Sequence, residues 1–249
     1  MRVRGWAATD VGRRRDHNED CFLCNDGCGL YAVADGMGGH LGGERASRMA
    51  TEIVEANLTS ALAIATGTSD GSPLAGADAL RLAIVEADRR IYETAAAEPD
   101  VAGMGTTLTA LFFCGGRAYL GHVGDSRAYL HRDGRTRQLT DDHSWIQDQV
   151  RAGLLSSTEA KESRYRNIIT RSVGFEPTVN PDLQELRPQA GDCFLLCSDG
   201  LSNDISADEI GQILTTSFYR DAPRDLIALA NERGGDDNIT CVCVHVAND

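Results

Sequence analysis

The sequence predicts an α+β layered sandwich in which antiparallel sheets carry helices on their outer faces. Three observations point there. Strand-like runs are joined by hairpin turns at Gly115-Gly116 and Asp133-Gly134. Two long helical patterns stand together, each apolar on one side only, so each should lie on an apolar surface. Hairpins dominate over strand–helix–strand alternation, which disfavours a parallel sheet.

The elements follow in chain order. Apolar or alternating runs predict strands at Val3 to Thr9, Cys21 to Cys24 and Leu30 to Ala34. In the first helix Ala46, Met49, Ala50, Ile53, Leu58, Ala61, Leu62 and Ala65 form one broad face. The polar stretch Thr66 to Pro73 reads as a loop between helices, not a domain boundary. In the second helix Leu80, Ile84, Ala87 and Ile91 recur at spacings of four, three and four. Strands return at Thr106 to Cys114, Arg117 to Val123 and Arg127 to His131, and a polar, partly helical insertion covers about 142–171. Further strands are expected at Val179 to Leu186 and Cys193 to Cys197, helices at about Ala207 to Leu214 and Pro223 to Arg233, and a last strand at Ile239 to Val246.

Composition removes several function classes. The chain has 249 residues, 42% hydrophobic and 24% charged, as expected of a globular protein with a sizeable core. Its 37 acidic and 24 basic residues give a net charge of -13, which repels nucleic acid and anionic membrane. The longest apolar run, Ala61 to Ala65, is too short for a membrane span, and Met1 to Trp6 lacks the apolar segment of a secretory signal. A cytoplasmic protein without membrane insertion is expected.

In that reducing setting the eight cysteines are expected as structural thiols, with Cys193, Cys197, Cys241 and Cys243 acting as small core residues. His17, Cys21, Cys24 and Cys28 mimic a zinc spacing, but a strand would send Cys21 and Cys24 to opposite faces. The single lysine, Lys161, follows Ala160, which excludes a Walker A loop. No cysteine has arginine six positions later, so a Cys-x5-Arg phosphatase is excluded too.

The chemistry lies in the aspartates. Asp35 follows the run Leu30 to Ala34 and precedes Gly36, while Asp199 follows Cys193 to Ser198 and precedes Gly200. Asp125 follows Ala118 to Gly124, Asp236 and Asp237 precede Asn238 and the last strand, and Asp20 precedes Cys21. One such residue is ordinarily a turn or cap. Carboxylates at the ends of five buried strands are costly unless something positive neutralises them. Gathered together they would repel by roughly several kcal/mol. Hard divalent cations, Mg²⁺ or Mn²⁺, are the natural partners, and such sites suit phosphate substrates.

An ordered set of motifs then carries a resemblance. Thr9-Asp10-Val11-Gly12-Arg13-Arg14-Arg15-Asp16-His17-Asn18-Glu19-Asp20 and Val33-Ala34-Asp35-Gly36-Met37-Gly38-Gly39-His40 are similar to the first two motifs of the PPM/PP2C metal-dependent protein serine/threonine phosphatases, the second in its bacterial form. Gly105-Thr106-Thr107, Val123-Gly124-Asp125-Ser126-Arg127, Leu139 to Ser144, Cys197-Ser198-Asp199-Gly200-Leu201 and Asp236 to Thr240 resemble the later ones in the same order.

The resemblance implies one phosphatase domain over 1–249, an αββα four-layer sandwich of two antiparallel sheets, with a substrate-contacting flap at about 142–171. It implies two Mn²⁺ or Mg²⁺ ions and a third, weaker site. Asp35 would bridge both ions, with the Gly36 carbonyl on one of them. Asp199 and Asp237 would complete the other, and Asp20, with Glu19 beside it, would hold metal-bound water. Asp237 is preferred to Asp236 because it adjoins Asn238. Asp125 with Asp199 matches the third site, and the water shared by two ions would attack phosphorus.

Arg15 occupies the family's phosphate-binding position, where a guanidinium can hold two oxygens; Arg13 and Arg14 read as a solvated run. Met37 stands where eukaryotic members carry a general-acid histidine, which leaves His40 as the nearest candidate; His143 reads as structural. The expected partners are phosphorylated proteins and the serine/threonine kinase that this enzyme opposes. Two other readings use the same residues: a non-catalytic phosphoprotein-binding domain, and a hydrolase of small phosphomonoesters.

Overall fold

Strands that bury one face each pair into two antiparallel sheets in this computed structural model, which describes residues 2–39, 41–67, 76–156, 159, 163, 165 and 168–247. One sheet runs β1 (Arg2–Asp10), β11 (Ile239–Ala247), β10 (Cys193–Cys197), β7 (Arg127–Arg132), β8 (Arg135–Gln138). The other runs β2 (Asp20–Asn25), β3 (Leu30–Met37), β5 (Leu108–Cys114), β6 (Arg117–Val123), β9 (Asp182–Leu186), with the short β4 (Gly105–Thr106) beside β3. The long helices α1 (Leu41–Gly67) and α2 (Gly76–Ala97) lie together in the chain between β3 and β4. After β8 come α3 (Trp145–Arg151), α4 (Asp199–Ser202), α5 (Ala207–Thr216) and α6 (Ala222–Glu232).

Three apolar layers hold the sandwich. Between the sheets Tyr31, Val33, Leu111 and Leu120 meet Phe194, Leu196, Val242 and Val244. There the rings of Phe113 and Phe194 stand edge to face at 5.8 Å and join the two sheets. Outside the β2–β9 sheet, α1 and α2 bury Ala50, Leu58, Leu80, Ile84 and Ile91 against Leu30, Ala32 and Phe112. Each fully buried Leu or Ile contributes roughly 1.5–3 kcal/mol, so this stripe is what fixes the helices. Outside the other sheet, Ile210, Leu214, Leu226 and Ala230 of α5 and α6 cover Cys193, Leu195, Cys241 and Cys243. The start of α5 is fixed by a capping box between Ser206 and Glu209.

The four-layer α+β architecture expected from the sequence is present, with local differences. β3 runs on through Asp35, because Gly36 and Met37 pair with Thr106 and Gly105; Asp35 therefore sits inside the strand and not after it. The strand expected from Thr106 to Cys114 breaks at Thr107, whose N–H donates to the Asp35 carbonyl. Among the described residues β8, α4 and a single 3-10 turn at Pro99–Val101 were not foreseen, and β9 begins at Asp182 instead of Val179. The helix α1 extends through Gly67, and 68–73 of the expected loop lie outside the described residues. Of the expected flap, 157, 158, 160–162, 164, 166 and 167 also lie outside them.

The cysteines behave as small apolar groups. All eight are free thiols. Cys21 turns its Sγ to Thr51 of α1, at 3.3 Å, while Cys24 packs with the layer between the sheets. The zinc-like spacing is thus split across a strand, as β alternation requires.

Candidate metal centre

The sheet register builds the centre. Asp20 opens β2 directly opposite Asp35 of β3. From the other sheet, Asp199 follows β10 and starts α4, and Asp237 lies just before β11. The sheets are stitched there by Ser198, whose Oγ donates to Asp20 Oδ2 at 2.8 Å. Asn238 ties the amino-terminal loop down: its Oδ1 accepts from Glu19 N at 2.8 Å, and its Nδ2 donates to the carbonyls of Val11 and His17. Asp125 arrives in the turn between β6 and β7.

Two glycines are required by close approach. A β-carbon on Gly36 would collide with the Gly43 carbonyl and the Glu19 backbone, and one on Gly200 would collide with the Asn238 carbonyl. These positions let α1 and the last strand press against the ends of β3 and β10. The Asp35 backbone is held in turn by Thr107. Its N–H donates to Thr107 Oγ1 at 2.9 Å, and Thr107 Oγ1 lies 2.7 Å from Ser126 Oγ.

The electrostatics follow from crowding. Burial, with the charges of Asp199 and Asp237 adding, raises Asp20 to about 7 despite hydrogen bonds from Thr240 and Ser198. Burial and the charges of Asp199 and Asp142 raise Asp125 to about 8. Asp35 is pushed well above the carboxylate range by burial and then by Asp20, Asp199, Asp125 and Asp237. Asp199 is raised by burial and by Asp237. Asp20, Asp35, Asp125 and Asp199 are thus all raised by burial and by neighbouring carboxylates at the seam.

Three of their oxygens, Oδ1 of Asp20, Asp125 and Asp199, are buried with no hydrogen-bond partner. Hard oxygen donors left unanswered at the meeting point of several negative charges fit divalent cations. Among the described residues no three His, Cys, Asp or Glu side chains stand gathered to hold one ion. The donors come sparsely, so an ion held here would keep several waters, as Mg²⁺-type ions do.

The remaining expected residues are placed as follows. Arg15 Nη2 pairs with Asp237 Oδ2 at 2.8 Å, and about half of the Arg15 side chain is exposed. Arg14 makes a 3.5 Å contact with the exposed Asp236, which supports Asp237 as the inward member of that pair. The Gly36 carbonyl lies on β3 beside Asp35. His40 lies outside the described residues. His143 is buried; its Nδ1 accepts from Gly124 N at 3.1 Å and its Nε2 stands 3.2 Å from Asp182 Oδ2, a structural role that steadies the turn before Asp125. Residue-by-residue reading gave Ser198, Thr107 and Ser126 no role. For Ser198 and Ser126 the available signal was adjacency to Asp199 and Asp125, and for Thr107 its place in the motif Gly105-Thr106-Thr107.

Beside the centre a cavity of about 540 Å³ opens between β7, α3, α4 and the start of α5, with Asp125 and Asp199 in its wall. Arg127 crosses it to Asp142, Nη2 to Oδ2 at 2.6 Å and Nε to Oδ1 at 2.9 Å. Nearby Trp145 packs edge-on against Tyr165 at 5.5 Å.

Comparison with known proteins identifies the family. A family model described as "Protein phosphatase 2C" matches residues 12–239. Over 247 residues the chain is 40% identical to the serine/threonine protein phosphatase PstP of Mycobacterium tuberculosis, covering 99% of this chain and 45% of that protein. The chain thus spans about half the length of that relative. It is 38% identical over 240 residues to the serine/threonine phosphatase stp of Listeria welshimeri, covering 95% of this chain and 93% of the other. The solved catalytic domain of PstP in complex with two manganese ions superposes with a TM-score of 0.83 at 38% identity, covering 99% of both chains. No described helix is long and apolar enough to cross a membrane. A match that begins in the arginine-rich loop and ends at the strand after Asp237 takes in the whole centre, and the chain belongs to the protein phosphatase 2C family.

Proposed function

We propose that the chain is a metal-dependent protein serine/threonine phosphatase that hydrolyses phosphoserine and phosphothreonine. The observation that carries this reading is the set of buried, unpartnered oxygens of Asp20, Asp125 and Asp199 at the seam of two sheets, with Arg15 beside them. The names of the relatives and the manganese complex of PstP support it.

Asp20, Asp35, Asp199, Asp237 and the Gly36 carbonyl would hold two ions, Mn²⁺ or Mg²⁺, and Asp125 with Asp199 a third. Bound divalent cations supply Lewis acidity to phosphate oxygens and lower the pKa of coordinated water. Arg15 gives the phosphoryl group two N–H donors in a fixed fork, which requires it to turn from Asp237 toward substrate. Ser198 and Asn238 keep Asp20 and the amino-terminal loop in register. Met37 carries no transferable proton, and His40 is the candidate to protonate the leaving alkoxide.

The whole chain acts as one domain, and the segment at about 142–171 serves as a flap over the substrate. Its substrates are phosphoproteins of a serine/threonine kinase, and eight free thiols suit the cytoplasm. The test compares phosphate release from a phosphothreonine peptide and from nucleotides, with Mn²⁺ and with chelator. Manganese-dependent release from the peptide, abolished in Asp199→Asn, is expected. Release from nucleotides alone, or from neither substrate, would overturn the reading.

A further inference from the structure

We propose that Asp10 is a positioning residue: with Asn231 of α6 it locks the loop that presents Arg15 to the phosphoryl group. This rests on the phosphatase reading above and adds the residues that set its affinity for phosphate. Asp10 and Gly12 stand in the first motif but outside the proposed metal ligands and the phosphate-binding group. Arg15 needs such a lock. It is carried by residues 11–19, an irregular connection between β1 and β2, and its side chain is half exposed. A long side chain on an unanchored loop would lose backbone and rotamer freedom each time it gripped a substrate, and affinity would fall by that amount.

The loop is instead pinned near its start. Asp10 Oδ1 accepts from Gly12 N at 2.9 Å, closing the local turn that Asp favours, and from Asn231 Nδ2 at 3.1 Å. Asn231 lies in the last turn of α6, 221 residues away along the chain, and α6 is fixed to its sheet by Leu226 and Ala230. The pin leads directly to the partner of Arg15. Gly12 has a φ of 82°, and a β-carbon there would stand 2.2 Å from the Asp237 carbonyl oxygen. Arg13 N donates to the Gly235 carbonyl at 2.7 Å, and Gly235 is pressed between Asn231 and Arg13. Two residues further on, Arg15 Nη2 meets Asp237 Oδ2.

Asn238 holds the same loop at Val11 and at its far end, His17 and Glu19. Asp10 and Asn231 hold the turn from which Arg15 departs, and so set where its backbone stands over Asp237. The chemistry of the pair fixes its geometry. A carboxylate only accepts, so the Asn231 amide must turn its NH2 toward Asp10. Its own Oδ1 is then buried without a partner. An amide would not keep that orientation, with an oxygen unanswered, unless the bond to Asp10 outweighed the loss.

The experiment uses the full chain saturated with Mn²⁺, a phosphothreonine peptide as substrate, and inorganic phosphate as competitive inhibitor. Asp10→Ala should raise both KM and the inhibition constant of phosphate about five- to tenfold, part of the worth of a two-pronged charge-assisted contact. Its kcat should stay within about twofold, which also shows that the variant folds. Asp10→Asn keeps the oxygen that accepts both bonds, and should stay within about twofold of wild type in every constant. Asn231→Ala removes one bond, should raise KM and the inhibition constant about threefold, and carries the test if Asp10→Ala is too unstable to assay. In an Arg15→Ala background, Asp10→Ala should change the inhibition constant by less than about twofold, because the group it positions is gone. A phosphate inhibition constant unmoved by Asp10→Ala and Asn231→Ala, one that moves as far without Arg15 as with it, or a change confined to the Mn²⁺ requirement would overturn the lock. So would an Asp10→Asn variant that behaves like Asp10→Ala. Turnover of the peptide by wild type in any of those cases leaves the phosphatase reading standing, whereas no turnover by wild type removes both.

Discussion

The crowded carboxylates should make the metal-free protein less stable as pH rises, and Asp20→Asn should relieve this. Asp20 titrates near 7 in the folded chain, against an ordinary value of 3.8. Between those values the folded chain keeps a proton that the unfolded chain has released. The unfolding free energy therefore falls as pH rises through that window, and the loss is complete above about pH 7. Three units correspond to roughly 4 kcal/mol. Asp20 is coupled to Asp35, Asp199 and Asp237, so the cluster shares this penalty and one substitution should recover about 2–4 kcal/mol. Asparagine keeps the shape and can still accept the Ser198 hydrogen bond. Urea unfolding in chelator should show the variant about 2–4 kcal/mol more stable than wild type at pH 8, and nearly equal to it at pH 4.5. Manganese should erase the advantage, because it stabilises the wild-type centre more. A difference between variant and wild type that is the same at both pH values would refute the reasoning, since a packing effect does not titrate.

Other outcomes follow from single contacts. Burial, and then His143, lower His122 to about 4, so the folded chain keeps it neutral while the unfolded chain takes a proton below about 6.5. Up to ~3 kcal/mol should be lost as pH falls through that interval, and His122→Asn should flatten the acid limb of a urea-derived stability curve. Asp88, almost wholly buried, accepts from Gly174 N at 2.7 Å. Asp88→Ala should cost about 1–3 kcal/mol and speed amide exchange at Gly174. Arg15→Lys should lower kcat/KM about tenfold or more through loss of the two-pronged contact, while the exposed Arg14→Ala should stay within about twofold.

Much of the fold was legible because its periodicity is strong. Cys193 to Cys197 is a wholly buried run, and its predicted limits match β10. The faces of α1 and α2 show plainly in Ala50, Leu58, Ile84 and Ile91. β8 is Arg-Thr-Arg-Gln and largely exposed, so no apolar pattern announces it; the Asp133-Gly134 turn was its only signal. The helix α4 has four residues, too few to show a period. The aspartates were legible as an ordered set of motifs. The groups that position them were not, because Ser198 meets Asp20 across 178 residues, Thr107 meets Asp35 across 72, and Asn238 meets Glu19 across 219. Spacing along the chain carries no trace of such meetings.

Asp20 and Asp35 lie on strands of one sheet, while Asp199 and Asp237 lie just beyond the ends of strands of the other. A cation held among them would therefore also be a rivet between the two halves of the molecule. A ligand present at a hundred times its Kd adds about 2.7 kcal/mol to the folded state. The supply of free manganese or magnesium would then govern the lifetime of the polypeptide, and scarcity would thin its numbers.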